Sequence, residues 1–186
     1  MKKTIILAIT AIVLATGAFA QEKKIEFGVK AGLNLAQEYT EDANTTARIG
    51  LHAGVFAEFF ISNRLGLQPE LLYSMQGGKD NTGTDKLDYI NLPVILKIYV
   101  LNRDLSIDVG LQAGYLLSAN TSFKSGTDLD IYERCNKFDV AVAFGASYKF
   151  AEKFHVGLRY NIGTIKIAKT LEHRNRVSQL YVGMKF

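Results

Sequence analysis

The sequence has 186 residues and a formal net charge of +4, to which Lys2 and Lys3 contribute two charges. So small an excess of positive charge argues against a nucleic-acid partner, because such proteins carry strongly basic patches. The single cysteine, Cys135, excludes an intramolecular disulfide, so backbone hydrogen bonds and packing must stabilise the fold.

Residues 1–20 have the organisation of a secretory signal peptide. Lys2 and Lys3 form a positive n-region, the apolar run TIILAITAIVLATG follows, and the small residues Ala18 and Ala20 provide a cleavage site. The apolar run is too short for a comfortable transmembrane helix. We therefore expect an exported protein whose mature chain, residues 21–186, begins at Gln21 and forms one domain.

Apolar residues occupy alternate positions in eight stretches of the mature chain. In chain order, these stretches are residues 25–35, 49–59, 65–75, 89–99, 105–117, 138–150, 154–163 and 179–186. A period of two over such lengths predicts β-strands with one apolar face and one polar or small face. Pro69 and Pro93 lie inside the third and fourth stretches, and we interpret them as marking a local bulge, because proline removes a ladder donor.

The predicted connections alternate in length. Those after the second, fourth and sixth strands are tight (SNR, LNRD and AEK), whereas the other four are longer and polar. This alternation is typical of outer-membrane barrels, in which the short turns are periplasmic and the longer loops are extracellular. Eight strands is also the smallest number found in such barrels.

An eight-stranded alternating sheet is equally compatible with a soluble, lipocalin-like barrel whose apolar face points inward. Two features of the polar face favour the opposite orientation. Gly and Ala are frequent on it, as a narrow lumen requires, and its five acids match five bases, as a closed interior requires because an unpaired buried charge is costly. The ten charged residues of this predicted lumen network are Glu26, Lys30, Glu58, Glu70, Lys97, Asp108, Asp139, Lys149, Arg159 and Lys185.

Aromatic residues of the apolar face give the third reason to place that face in lipid. They fall into two groups by height, as the interface girdles of membrane barrels do. The groups are Phe59, Phe150, Phe154 and Phe186 at the short-turn end, and Tyr73, Tyr115, Phe138 and Tyr160 at the long-loop end. The expected fold class is all-β: an eight-stranded antiparallel up-and-down transmembrane β-barrel of OmpX/OmpA-like architecture.

Four strand phrases carry a resemblance to a known family. They are FGVKAGLNLA in the first strand, LQPELLYSMQGG in the third, YINLPVILKIYV in the fourth and YVGMKF in the last. In these phrases the chain resembles the PorT-like outer-membrane β-barrel family of Bacteroidetes-type bacteria, over essentially the whole mature chain. The resemblance implies outer-membrane location. It also offers an alternative function, since the founding member of the family is linked to protein secretion across the outer membrane.

We expect no catalytic residue, cofactor or metal site. By parity His52 and His155 face the lumen but lie far apart in height, and His173 lies in the last loop. An enzyme that edits lipid A would need a nucleophile, a base and an acid in hydrogen-bond reach, and no metal-binding spacing repeats on one strand face. An eight-stranded lumen filled by side chains also argues against a pore. We predict a structural or interaction role, with lipid-A modification as a further alternative.

The last connection is basic, with Lys166, Lys169, Arg174 and Arg176 against Glu172. This basic loop is a candidate for contact with lipopolysaccharide phosphates, because Arg and Lys pair well with phosphate; the alternative is that the loop is only solvated. The expected partners of a monomeric barrel are outer-membrane lipid and lipopolysaccharide, the barrel-insertion machinery and, under the secretion alternative, secretion-system components.

The chain ends on an amphipathic strand whose last residue is aromatic. We interpret Tyr181, Gly183, Met184 and Phe186 as a C-terminal signal read by the barrel-insertion machinery. The last strand must pair with the first, because an open edge cannot stand in lipid. Phe186 should then face lipid within the aromatic girdle of the short-turn end.

Overall fold

The strands of the protein were located in a computed structural model that describes residues 25–39, 46–80, 83–167 and 174–186. The strands in this part of the chain are β1 (Ile25–Tyr39), β2 (Thr46–Phe60), β3 (Leu65–Gln76), β4 (Gly78–Lys79), β5 (Gly83–Leu101), β6 (Leu105–Phe123), β7 (Asp128–Asp130), β8 (Phe138–Lys149), β9 (Phe154–Lys166) and β10 (Arg174–Lys185). A single 3-10 turn, Tyr132–Arg134, precedes β8. Within these described ranges, no helix has the length and apolar character needed to cross a membrane. The predicted signal peptide lies outside them.

Eight of these strands, all except the short β4 and β7, close into an antiparallel barrel. Each pairs with the next along the chain, and β1 pairs with β10 from Gly28 opposite Lys185 to Tyr39 opposite Arg174. Beyond the last ladder pair, the Phe186 amide donates to the Phe27 carbonyl at 2.9 Å. The predicted eight-stranded up-and-down barrel is confirmed, although β5, β6, β9 and β10 extend farther toward the long loops than the sequence pattern indicates.

Side chains alternate between the two faces of the barrel as the sequence predicts. In β9, for example, Leu158 is 63% exposed whereas the neighbouring Arg159 is 3% exposed. The apolar face is therefore outside and the polar face lines the lumen, which excludes the lipocalin-like alternative. All eight girdle aromatics lie on the outer face.

The long-loop girdle forms a lateral row across four strands. Tyr73 lies opposite Ile90, Ile90 lies opposite Tyr115, and Tyr115 lies opposite Phe138. The Tyr115 and Phe138 rings meet edge to face, with centroids 5.2 Å apart. Both girdle rings of this pair face outward at the long-loop end of the barrel.

The two rims of the barrel differ in their connections. At the short-turn rim, β5 and β6 are joined through Asn102 and Arg103, whose φ angles of 38° and 66° are left-handed. Positive φ at both central residues is what the tightest hairpin turns require. At the long-loop rim, the connection between β6 and β8 contains both β7 and the 3-10 turn.

The two prolines do not form a bulge. Pro69 lies opposite Val94, and three residues farther along β3, Leu72 lies opposite Asn91 in the same register. The prediction of a bulge at Pro69 and Pro93 is therefore wrong. Proline removes a ladder donor, but the flanking pairs between β3 and β5 hold the register across the interruption.

Candidate functional site

The centre of the lumen is an ion cluster around Glu70 of β3. Lys30 Nζ, from β1, lies 3.0 Å from Glu70 Oε2. Arg159, from β9, donates from Nη1 and Nη2 to the two carboxylate oxygens at 2.8 Å each, and Gln68 Nε2 donates to Glu70 Oε1 at 2.6 Å. All three charged side chains are buried. Since β3 and β9 lie four strands apart in either direction around the barrel, the Arg159–Glu70 pair spans its full diameter.

Tyr181 of β10 packs against this ion cluster. Lys30 Nζ lies 3.8 Å from the centroid of its ring and Arg159 Cζ lies 5.5 Å from it, distances at which a cation is attracted to an aromatic face. His52 and His155 contact the same ring edge to face, at centroid distances of 6.4 and 6.0 Å. The expectation that these two histidines lie far apart is therefore wrong, because Tyr181 lies between them.

A second buried cluster lies nearer the short-turn rim, around Asp108 of β6. Lys97 Nζ lies 3.3 Å from both carboxylate oxygens of Asp108 and donates to Ser147 Oγ at 2.6 Å. Ser106 Oγ donates to Asp108 Oδ1 at 2.6 Å. The Tyr181 hydroxyl, 3.4 Å from Asp108 Oδ2, links this cluster to the central one.

The third cluster joins the first and last strands at the short-turn rim. Lys185 Nζ, from β10, lies 3.0 Å from Glu26 Oε2 of β1 and 2.6 Å from Glu58 Oε2 of β2. The Tyr99 hydroxyl also donates to Glu58. Lys185 thus connects the closing strand to the first two strands.

The structure brings eight of the ten predicted lumen charges into these three clusters. The other two lie apart. Lys149 pairs with Asp104 at 2.9 Å on the short-turn rim, where both side chains are well exposed, and Asp139 begins β8 at the other end of the barrel. Neutral residues that the sequence pattern did not single out also join the lumen: Asn34 Oδ1 accepts from Gln179 Nε2 at 3.0 Å and lies 2.8 Å from His52 Nδ1.

Residues 124–137 connect β6 to β8 at the long-loop rim of the barrel; we call them the lid. β7 pairs with β6 beside Thr121, the Ile131 amide donates to the Ala119 carbonyl at 3.0 Å, and the Leu116 amide donates to the Lys137 carbonyl at 2.8 Å. On the outer side, the Glu133 carboxylate lies 3.1 Å from Lys137 Nζ and raises the pKa of that ammonium.

The inner face of the lid is apolar. A buried cluster consists of Leu87, Tyr89, Leu116, Ala119, Cys135 and Ile167, with Ile131 and Tyr132 packed against it. Cys135 is only 2% exposed, so the thiol faces this cluster rather than solvent. The lid was missed from the sequence because its apolar residues follow no strand or helix period.

The residues predicted to form a basic loop belong to strands instead. Lys166 ends β9, and Arg174 and Arg176 begin β10. The segment reads as a loop because it is polar, but Arg174 lies opposite Lys166 across the two strands. Lys169 lies outside the described residues.

The predicted C-terminal signal divides between the two faces. Tyr181 and Gly183 face the lumen, Met184 faces outward, and Phe186 is 71% exposed on the outer surface. Gly183 leaves room for the His155 ring, which an added Cβ would overlap.

The described histidines are not paired with a nucleophile. His52 Nδ1 lies beside Asn34, and neither ring nitrogen of His155 has a hydrogen-bond partner in the described part of the chain. Among the same residues, no three His, Cys, Asp or Glu side chains converge to hold a metal ion. His173 lies outside the described ranges.

Comparisons with known proteins agree with this geometry. The family model described as an outer membrane protein β-barrel domain matches residues 19–169. Neisserial surface protein A (NspA) is similar in structure, with a TM-score of 0.61 and 16% identity over 89% of this chain and 100% of that chain. Ail, the attachment invasion locus protein of Yersinia pestis, has a TM-score of 0.53 and 15% identity over 89% and 100%. No curated protein matches the chain in sequence. At these identities the structural likeness shows a shared fold.

Proposed function

The chain belongs to the outer membrane protein β-barrel domain family, and on that premise we propose that it is a closed, monomeric barrel with a structural or interaction role. The short-turn rim is then periplasmic and the lid is extracellular. Molecules outside the cell would meet the lid and the outer rim, not the lumen. The proposal includes no catalytic step.

The observation that carries this proposal is that the lumen is filled along its length. The Arg159–Glu70 pair crosses the whole diameter of the barrel, and apolar side chains of the lid pack with residues of β5, β6 and β9 near the mouth. An eight-stranded barrel has an interior only wide enough for side chains. The buried ion cluster inside it resists opening, because separating Glu70 from its two cations leaves uncompensated charge.

Conductance across a planar lipid bilayer tests this proposal. The refolded barrel, whose folding is verified by a heat-dependent shift in gel migration, is expected to give no steady current steps. Reproducible open-channel steps from the wild-type protein would contradict a closed barrel. Overexpression should also leave the mass of lipid A unchanged, and a new lipid-A species would contradict the non-catalytic role.

A second proposal rests on the PorT-like phrases in strands β1, β3, β5 and β10. Under it, the protein is an accessory barrel of a secretion system that exports proteins across the outer membrane of a Bacteroidetes-type bacterium. Deleting the gene should then retain exported proteins in the periplasm. An unchanged set of secreted proteins in the deletion strain would eliminate this role.

We also propose that residues 1–20 are a signal peptide removed during export. Lys2, Lys3 and the apolar run that follows support it. Mass spectrometry of protein isolated from outer membranes should give a mature chain that begins at Gln21. Retention of residues 1–20 in that fraction would contradict the assignment.

A further inference from the structure

Three cations lie side by side on the outer face of the barrel at its extracellular rim. Lys166 and Arg174 are opposite each other on β9 and β10, and Arg176 is opposite Ile162. Along β10, the side chains of Asn175, Val177 and Gln179 are buried, whereas those between them face outward. We call Lys166, Arg174 and Arg176 the basic arc.

The basic arc lies just beyond the extracellular aromatic girdle. Ser178 of β10 is opposite Tyr160, a girdle residue, and Arg176 and Arg174 are the next two outward-facing residues of the strand. A strand rises about 3.4 Å per residue and is tilted by about 40° in such barrels, so the two arginines stand about 5 and 10 Å above Tyr160. The headgroup region of a bilayer is roughly 5–7 Å thick on each side. Arg176 therefore lies at the level of lipid phosphates, and the long side chain of Arg174 can reach down to that level.

The end of β5 on the opposite side of the same rim carries a different charge. On β5, Ile90 belongs to the girdle row, and the next two outward-facing residues are Asp88 and Lys86. The corresponding positions on β10 are Arg176 and Arg174. The end of β5 thus carries one charge of each sign where the end of β10 carries two positive charges.

Below the basic arc, the same two strands offer an apolar surface. Leu158 and Leu180 lie opposite each other and are 63% and 48% exposed on the outer face. A phosphorylated lipid that places its phosphate on the arginines can lay its acyl chains along these side chains. Arginine is suited to this role, because its planar fork binds phosphate through two parallel hydrogen bonds.

We propose that the basic arc binds the phosphate of a glycolipid in the outer leaflet, and so holds one lipid molecule against β9 and β10. This deepens the proposed interaction role and rests on it for the orientation of the barrel. The lid is adjacent, since Asn136 Nδ2 donates to the Lys166 carbonyl at 2.7 Å and the Asn136 amide donates to the Ile167 carbonyl. A lipid at the arc would contact the strand end on which the lid rests.

The test measures binding of lipid A, with its phosphates, to the full barrel in detergent micelles by native mass spectrometry. The variant Arg174→Gln/Arg176→Gln is compared with Lys79→Gln/Lys86→Gln, which removes the same charge from the other side of the rim. We expect the arginine variant to bind at least about tenfold more weakly, since a single hydrogen bond to a charged group is worth about that factor or more. The lysine variant should stay within about twofold of wild type. Heat-dependent gel migration verifies that each variant is folded.

Two further ligands identify what is recognised. Dephosphorylated lipid A should bind the wild-type barrel no better than intact lipid A binds the arginine variant. Binding of phosphatidylethanolamine should not change with the substitutions. Equal losses in both variants would overturn the proposal, because they would indicate general charge attraction. Unchanged binding by the arginine variant would overturn it as well. Neither result bears on conductance, so failure of the lipid site and failure of the closed barrel are distinguishable.

Discussion

The middle of the lumen and its extracellular mouth are filled by opposite chemistry. In the middle, Glu70 is held by Lys30 and Arg159 from two other strands, whereas Leu116, Ile167 and apolar residues of the lid pack together near the mouth. Buried charges are tolerated only in fixed geometry with partners on every side, which paired strands provide. Apolar contacts are non-directional, so an irregular connection can supply them. Paired strands therefore hold the buried charged side chains in place, whereas the irregular segment supplies apolar packing near the mouth.

The largest effect should follow from breaking the central cluster. Glu70→Gln leaves Lys30 and Arg159 buried without their counter-charge, and we expect the free energy of unfolding to fall by about 3–5 kcal/mol. Asp104→Asn is the matched control, since it breaks an exposed ion pair with Lys149 and should cost about 0–1 kcal/mol. Urea unfolding in phospholipid vesicles measures both variants. Similar losses of unfolding free energy in the two variants would show that burial does not determine how much these ion pairs stabilise the barrel.

The apolar mouth is tested by Leu116→Ala. Truncating this buried side chain should destabilise its surroundings by about 2–4 kcal/mol, and the reaction of Cys135 with a maleimide should become at least about tenfold faster as the lid opens more often. The control is Leu117→Ala, because Leu117 faces outward and is 48% exposed. If both variants react at the wild-type rate, the lid does not depend on this cluster.

The packing of Tyr181 against the central cluster depends on Gly157 of β9. A Cβ added there would overlap the Tyr181 ring, so Gly157→Ala should lower the free energy of unfolding by about 1–3 kcal/mol. Tyr181→Leu removes the obstacle. The double variant should therefore lose less unfolding free energy than the sum of the losses of the two single variants. Strict additivity in urea unfolding would show that the ring is not the cause.

Phe186→Ala should have the smallest effect on the folded barrel. Because the ring is exposed on the outer surface, we expect a change of only about 0.5 kcal/mol, together with a clear drop in the amount inserted into outer membranes in cells. Phe27→Ala changes an exposed aromatic on the neighbouring strand and should insert normally. Equal insertion of Phe186→Ala and wild type would refute a role as insertion signal.

Most of the barrel could be predicted from the alternation of residues such as Leu158 and Arg159. Each strand of a closed barrel has one face in each environment, so the period of two appears directly in the sequence. The pairing of β1 with β10 follows as well, since an open edge cannot stand in lipid. The connection lengths then predict which rim carries the long loops.

Other features depend on tertiary contacts that no period reveals. Ile131 and Cys135 lie in an irregular segment, and their burial follows only from how that segment folds over the barrel. Tyr181 reads equally well as part of a terminal signal and as a lumen residue. Arg174 and Arg176 look like loop residues because the local sequence is polar, yet pairing with β9 extends the strand through them.

The position of Lys185 has a consequence for the order of assembly. Glu26 and Glu58 lie directly opposite each other on β1 and β2, and like charges in such a pair repel. The first hairpin therefore contains two repelling carboxylates from the moment it forms. Lys185 of β10, with its ammonium 3.0 and 2.6 Å from the two carboxylates, relieves that repulsion, and the Tyr99 hydroxyl also donates to Glu58. The first hairpin formed therefore reaches its lowest free energy only when the last strand docks, which favours completed barrels over partly closed ones.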